Sequence, residues 1–276
     1  MHWLLLAFIL GAVEGLTEFL PVSSSGHLIL AGELLHFTGD KASVFQVAIQ
    51  LGAILAVVAL YWPRFMSLLA GLRELRHPRA ALAQEGLHGL RGIGLLVLTT
   101  FPPSLVGLLL HHHIKSLFSA EAVVMALVVG ALCMLLVERL AERIPPRVTS
   151  LDAITPRLAL GIGCCQCLAL WPGFSRSAST IMGGMLLGAR RDVAAEYSFL
   201  AAVPLMFAAT GYDVLSNLAL FSADDIPLFA AGFFFSFVFA WLAVRTFIAL
   251  LGRLTLRPFA WYRLALAVPV YWFMVR

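Results

Sequence analysis

Two kinds of apolar stretch alternate along this chain, and the difference between them limits what it can fold into. Runs such as Ala122–Val137 and Ile226–Val244 contain no charge at all. A helix needs about 20 predominantly apolar residues to cross a bilayer core. Six segments meet that need, roughly 44–62, 92–110, 120–138, 194–213, 227–247 and 259–275. Two others, 3–36 and 158–189, are apolar at both ends and polar in the middle. The first is broken by Glu14, Glu18 and the run Pro21-Val22-Ser23-Ser24-Ser25-Gly26-His27, the second by Trp171-Pro172-Gly173-Phe174-Ser175-Arg176-Ser177. Each break leaves two arms too short to cross alone. Irregular backbone at membrane depth survives only where protein or a wet cavity covers it. The chain is therefore predicted to be an all-α integral membrane protein with six transmembrane helices and two re-entrant helix–loop–helix hairpins.

Composition excludes the alternatives. With 61% hydrophobic and 12% charged residues, the chain carries half the charge of a soluble domain, for which about 25% is usual. The net charge of +4 does not point to nucleic acid, because the basic residues form no stripe. Fifteen of the 19 Lys and Arg fall in the segments 64–91, 139–157, 190–191 and 245–263. Basic residues collect on the cytoplasmic side, so these segments read as cytoplasmic and both termini as extracytoplasmic. Met1–Val13 has no basic leader and runs directly into Glu14, so it is expected to stay in the mature protein. Cys133, Cys164, Cys165 and Cys167 all lie in apolar runs, and read as small buried hydrophobes rather than metal ligands or a disulfide framework.

The two interrupted segments are related. A shift of 151 positions aligns Pro21 with Pro172 and Ser24 with Ser175. Each hairpin is followed by three spans, so the two halves must be inverted relative to each other. The expected organisation is a single membrane domain, 1–276, with inverted halves of about 1–138 and 157–276 joined by the basic segment 139–157. Inverted repeats with broken helices are typical of secondary transporters. Architecture alone therefore favours transport, and chemistry must arbitrate.

In the first motif Glu14 and Glu18 stand four apart, which puts them on one helical face. Carboxylates at membrane depth are expensive and mark function. Ser23, Ser24, Ser25 and His27 follow at once. A serine becomes a nucleophile beside a base, and histidine titrates near neutral pH. In the second motif Gly173 permits close backbone approach, and the helix that follows offers free N–H groups at its positive end. Arg176 brings a planar fork suited to phosphate oxygens, and Ser175, Ser177 and Thr180 add hydroxyls. Arg176 in a membrane needs an anion. It can pair with Glu14 or Glu18, or it can form a phosphate cradle opposite them, the reading preferred here. Two ionised glutamates would repel a diphosphate. Either a divalent cation, Mg²⁺ or Ca²⁺, bridges Glu14, Glu18 and the phosphates, or one glutamate is protonated or acts as a base.

Over Glu14–His27, over Pro172–Ser177, over Gln50-Leu51-Gly52-Ala53-Ile54-Leu55-Ala56-Val57 and through the closing spans, the sequence resembles the undecaprenyl-pyrophosphate phosphatase family, the bacitracin-resistance type of membrane phosphatase. The resemblance implies removal of the terminal phosphate from the C55 isoprenyl diphosphate carrier, which returns the monophosphate to peptidoglycan synthesis and confers bacitracin resistance. It implies catalytic roles for Glu14, Glu18, Ser24, His27 and Arg176, and phosphate binding by Ser175, Ser177 and Thr180. It further implies a homodimer in the bacterial cytoplasmic membrane with its site open to the extracytoplasmic side. Ser25 departs from some members, which carry Thr there.

Two routes to hydrolysis remain open at this stage. Ser24 can attack phosphorus, activated by His27 or a glutamate, or water can attack with a glutamate as base while Ser24 only binds phosphate. The competing class is a transporter or flippase for the lipid carrier. Elsewhere, His111-His112-His113 with Lys115 is expected at an interfacial span end rather than at a metal. Glu196 is expected to pair within the cluster Arg190-Arg191-Asp192, and Tyr61-Trp62 and Trp261-Tyr262 suit the membrane interface.

Overall fold

The computed structural model describes residues 2–76, 82, 85–110, 113–114, 117, 119–143, 145–216, 222–250 and 254–275. His111, His112 and Lys115 of the histidine cluster, and parts of the basic segments around Arg79 and Arg253, lie outside these. Among the described residues there are eleven α-helices: α1 (His2–Thr17), α2 (Ser24–Leu34), α3 (Asp40–Leu60), α4 (Trp62–Ala70), α5 (Gly89–Leu109), α6 (Ala120–Ala141), α7 (Pro156–Gln166), α8 (Arg176–Leu186), α9 (Arg191–Ser216), α10 (Ile226–Leu250) and α11 (Arg257–Met274). No strand occurs among them beyond one isolated bridge between Val148 and Ala189.

Five helices are long and apolar enough to cross a membrane: Lys41–Leu60, Gly89–Leu109, Ala120–Ala141, Arg191–Asp213 and Ile226–Leu250. The chain is a multi-pass membrane protein. The expected sixth span corresponds to α11, an 18-residue helix outside that set, because Arg257, Arg263 and several prolines and interfacial aromatics dilute its apolar character. The two interrupted segments fold as helix, break, helix: α1 then α2, and α7 then α8. At 16 and 11 residues, α1 and α7 extend about 24 and 16 Å at 1.5 Å per residue, short of the roughly 30 Å hydrocarbon core.

Small residues let these helices close on one another. A Cβ on Gly15 of α1 would stand 2.4 Å from the Ser236 carbonyl oxygen of α10, and one on Gly11 would stand 2.6 Å from the Gly232 oxygen. Gly52 of α3 meets α10 in the same way, 2.3 Å from the Phe233 oxygen. Lipid tails are as apolar as leucine, so helices in a bilayer associate by close backbone approach. Glycine at each crossing allows it. The helix α3 lies in the middle of this packing, with Phe45, Ile49, Ala53, Ile54, Ala56 and Val57 fully buried. Leucines at the periphery, such as Leu108 and Leu109, are exposed, as lipid-facing positions should be.

At the basic end, buried Glu138 of α6 accepts from Arg191 of α9 and, at 2.8 Å, from the Leu256 N–H ahead of α11. Arg190 pairs with Asp192, so the cluster's ion pairs go to Glu138 and Asp192 rather than to Glu196. Asp152 takes the Leu87 N–H at 2.9 Å and the Arg64 guanidinium at 2.8 Å. These partners hold its carboxyl below the usual carboxylate range, so the link persists at neutral pH. The four cysteines are free thiols and none is fully buried. They lie partly on the periphery of the helices, not in the core as expected.

The glycine crossings make a direct prediction. Gly15→Val drives a branched side chain into α10 backbone, an overpacking that costs about 1–3 kcal/mol or more. Its melting temperature in detergent should fall clearly below that of the wild type. A melt unchanged within error would mean that α1 and α10 do not approach this closely.

Candidate active site

Both hairpins break the same way. Ser23 caps α2 with φ 72° and ψ 91°, and Ser175 caps α8 with φ 78° and ψ 117°. Each sits in the left-handed region that side chains rarely adopt, at a cost of about 1–3 kcal/mol. Each offsets part of that cost by accepting an N–H three residues on, from Gly26 at 3.4 Å and from Ala178 at 3.2 Å. The helices they start are both 11 residues long. Structural equivalence therefore runs at a shift of 152, Ser23 to Ser175, one more than the shift that aligns the prolines. Pro21 is then matched by Gly173, which has φ +94° and whose Cβ would meet the Val123 oxygen at 2.7 Å. On this register Ser24 and Arg176 hold the same rank, the first residue of α2 and of α8.

Those two residues converge on one carboxylate. Ser24 Oγ donates to Glu18 Oε2 at 2.5 Å, and Arg176 Nη2 donates to Glu18 Oε1 at 3.4 Å. Arg176 is further fixed by Nη1 on the Ser198 carbonyl at 3.1 Å, while its buried Nε has no partner. Around this pair lies a cavity of about 130 Å³. Its walls are Glu18 and Ser23–Ser25 from the first hairpin, Ala169, Pro172, Gly173, Ser175 and Arg176 from the second, and Gln50 and Met206 from α3 and α9.

The remaining sequence-derived candidates stand behind or beside the cavity. Ser177 Oγ donates to the Leu20 carbonyl at 2.8 Å and sits 3.1 Å from Ser175 Oγ. A hydroxyl has one proton, so Ser175 donates to Ser177, which donates across to the first hairpin. Thr180 Oγ1 lies one turn deeper, 2.8 Å from the Arg176 oxygen and 2.5 Å from Ser198 Oγ, and supports Arg176 from below. Glu14 is buried, and neither carboxylate oxygen has a partner. Gln166, its equivalent at the shift of 152, is also buried with both amide atoms unpartnered. His27 turns away from Ser24. Its Nδ1 is 2.8 Å from the Ser23 carbonyl and its Nε2 is 2.8 Å from the Tyr262 hydroxyl. A carbonyl only accepts, so Nδ1 carries a proton, and Nε2 of the neutral ring accepts from Tyr262.

Sequence reasoning missed Arg263. Counted there among cytoplasmic loop charges, it lies within α11, fully buried. Nη1 donates to the Phe174 carbonyl at 2.8 Å, and Nη2 donates to the Gly173 and Ala126 carbonyls at 2.9 and 3.0 Å. Only a glycine at position 130 leaves room for it, since a Cβ there would stand 2.3 Å from Nη2. No carboxylate pairs with it among the described residues. Arg263 thus clamps the second tip and leaves a positive charge behind the cavity. A signal was present, since the residue falls inside the apolar run 259–275. Ser198 and Tyr262 carried none, because their partners are far away in sequence.

Fold and site together define a polytopic membrane protein whose polar centre is built between two broken-helix hairpins. The chain belongs to the family described as bacitracin resistance protein BacA, which it matches over residues 7–269. Curated relatives named undecaprenyl-diphosphatase include one from Nitratidesulfovibrio vulgaris, 64% identical over 275 residues and 99% of both chains. Another, from Desulfovibrio desulfuricans, is 63% identical over the full length of both chains. A third, from Lawsonia intracellularis, is 55% identical over 98% of each.

The clamp can be tested from two sides. Arg263→Lys keeps the charge but not the fork, and Gly130→Ala keeps the arginine but displaces it. Each left-over buried carbonyl costs about 1–3 kcal/mol, so both variants should melt lower in detergent. Both should also lose phosphate-site function by tenfold or more. Retention of full function by both would remove the clamp from the site's account.

Proposed function

We propose that this chain hydrolyses undecaprenyl diphosphate to undecaprenyl phosphate and inorganic phosphate, recycling the lipid carrier for peptidoglycan synthesis and conferring bacitracin resistance. The observation that carries this is the convergence of a serine hydroxyl, a carboxylate and a guanidinium on one small cavity at two helix N-termini. Relatives of this identity bear the name of that activity.

In the mechanism, the terminal phosphate enters between the two tips and takes up the unpartnered Nε of Arg176 and the free N–H groups of the α8 first turn. Ser24 attacks phosphorus while Glu18, already on its hydroxyl at 2.5 Å, accepts the proton. The lipid monophosphate leaves with the bridging oxygen. Glu18 releases that proton to solvent, takes one from the water that attacks the phosphoseryl group, and returns it to Ser24 Oγ as inorganic phosphate is freed. Phosphoryl transfer depends mainly on positioning and on neutralising charge at the equatorial oxygens. The charges of Arg176 and Arg263 serve that need. His27, engaged with Ser23 and Tyr262, holds the start of α2 in place in this arrangement, and Glu18 is the base that the geometry favours.

Glu14 is a carboxylate with two orphaned, buried oxygens, which fits either a proton or a cation. No group of three or more His, Cys, Asp and Glu side chains suited to a metal exists among the described residues. A divalent ion here, Mg²⁺ or Ca²⁺, would thus be held by Glu14 and Glu18 and completed by substrate phosphates and water, as Mg²⁺ commonly is. When bound, it would neutralise phosphate charge beside the two glutamates.

The finer architecture belongs to the same proposal. Counting α11 as a crossing gives six spans and two re-entrant hairpins. The shift of 152 between the hairpins supports inverted halves of about 1–138 and 157–276. The basic segments favour one face as cytoplasmic, and opening of the cavity to the extracytoplasmic side of the bacterial cytoplasmic membrane rests on the family resemblance. An apolar groove of about 610 Å³ beside the first hairpin, walled by Leu16, Leu20, Val22, Phe247, Phe259 and Tyr262, gives the polyprenyl chain a surface. Homodimerisation rests on the family resemblance.

Purified protein in detergent should release phosphate from an isoprenyl diphosphate, stop with EDTA and resume with Mg²⁺ or Ca²⁺. Transport needs two compartments and detergent provides none, so absence of release from folded protein would favour the transporter reading. Ser24→Ala and Glu18→Gln should each reduce turnover by at least about 100-fold, as loss of a nucleophile or its base does. Substantial turnover by Ser24→Ala would move the attack to water.

A further inference from the structure

The cavity contains one polar side chain that neither motif supplies. Gln50 lies in the middle of α3, a helix otherwise apolar at this depth, and lines the cavity with Glu18, Ser24, Ser175 and Arg176. Its Oε1 accepts from Thr210 Oγ1 of α9 at 3.3 Å. Thr210 is buried and stands one turn beyond Met206, the α9 residue in the cavity wall. With its oxygen held by Thr210, the carboxamide presents its Nε2 protons, which are donors only.

Charge bookkeeping in the cavity gives those protons a use. Among the described residues Arg176 is the only cationic side chain in the wall, and Glu18 takes one of its two Nη2 protons. Its Nη1 is spent on Ser198. Ser177 and Thr180 donate to protein oxygens. On the hairpin side a phosphate with several charged oxygens is left with the Ser23 and Ser25 hydroxyls and the remaining N–H groups of Arg176. Gln50 adds donors from a different wall, and adds them without a charge that would compete with Arg176 for Glu18.

Building on the phosphatase reading above, we infer that Gln50 is a phosphate-binding residue of this site, donating from Nε2 to an oxygen of the substrate's phosphate, with Thr210 as the positioning residue that fixes its carboxamide. A carboxamide serves here where a carboxylate would repel, and a leucine would leave a phosphate oxygen without a partner.

The test measures kcat/KM on an isoprenyl diphosphate, inhibition by inorganic phosphate, and melting in detergent for Gln50→Leu, Gln50→Glu and Thr210→Val. Gln50→Leu should lower kcat/KM about ten- to hundredfold, the usual worth of a hydrogen bond to a charged group. It should weaken phosphate inhibition in parallel. Gln50→Glu should lose more at neutral pH and recover relative to wild type as the pH falls and the new carboxylate protonates, a trend that a packing defect does not produce. Thr210→Val, nearly isosteric, should give a smaller loss in the same two readouts with little change in melting. Values for Gln50→Leu within twofold of wild type in both readouts would overturn the assignment. If that variant fails to fold, unaltered phosphate inhibition in Thr210→Val together with a flat pH ratio for Gln50→Glu would overturn it. Loss of hydrolysis in the wild type itself would instead remove the phosphatase reading.

Discussion

A helix break covered by protein leaves backbone N–H and C=O groups where water is scarce, and the two breaks of this protein, after α1 and after α7, are organised around that fact. Ser23 and Ser175 accept one N–H of the helix they begin, and Arg263 takes carbonyls of the second tip. The first residues of α2 and α8, Ser24 and Arg176, both line the cavity beside Glu18. The same shortage of partners that makes a broken helix costly in a membrane leaves donors available to an anion.

Glu18 makes one site of two hairpins. Its two oxygens accept from the first residues of two separate helices, and Ser177 ties the second hairpin to the Leu20 carbonyl of the first. Around them the close crossings of α1 and α3 with α10 leave little freedom for either hairpin to drift. Positioning of the reacting groups thus draws on glycine packing within a turn of Glu18 and Gln50. Effective catalysis by positioning depends on geometry held to fractions of an ångström, and a scaffold of backbone contacts is stiffer than one of long side chains.

Much of this was legible in the sequence. Five of six expected spans and both interruptions follow from where charge and proline break the apolar runs. Glu18, Ser24, Ser175 and Arg176 meet, as their motifs suggested they could. Other features were not legible, for identifiable reasons. Arg263 sits near a basic loop, and counting charges by segment hid that its own helix is apolar on both sides. The pairing of His27 with Tyr262 spans 235 positions, and no local pattern encodes it. Gln50 opens a run that carries the family resemblance without indicating any chemistry, and only its place in the cavity wall beside both tips gives it a role. The prolines give a shift of 151 between the two hairpins, whereas the capping serines give 152 and set Gly173 opposite Pro21.

That one-residue difference has a consequence for how such a site can exist at all. Ser24 and Arg176 occupy the same rank on equivalent helices, so a pair made from two copies of the first hairpin would face serine with serine. Two copies of the second would face arginine with arginine. Neither symmetrical arrangement contains both a hydroxyl to attack and a cation to receive the phosphate. Holding one of each takes two hairpins that differ at this one rank, and this chain carries both.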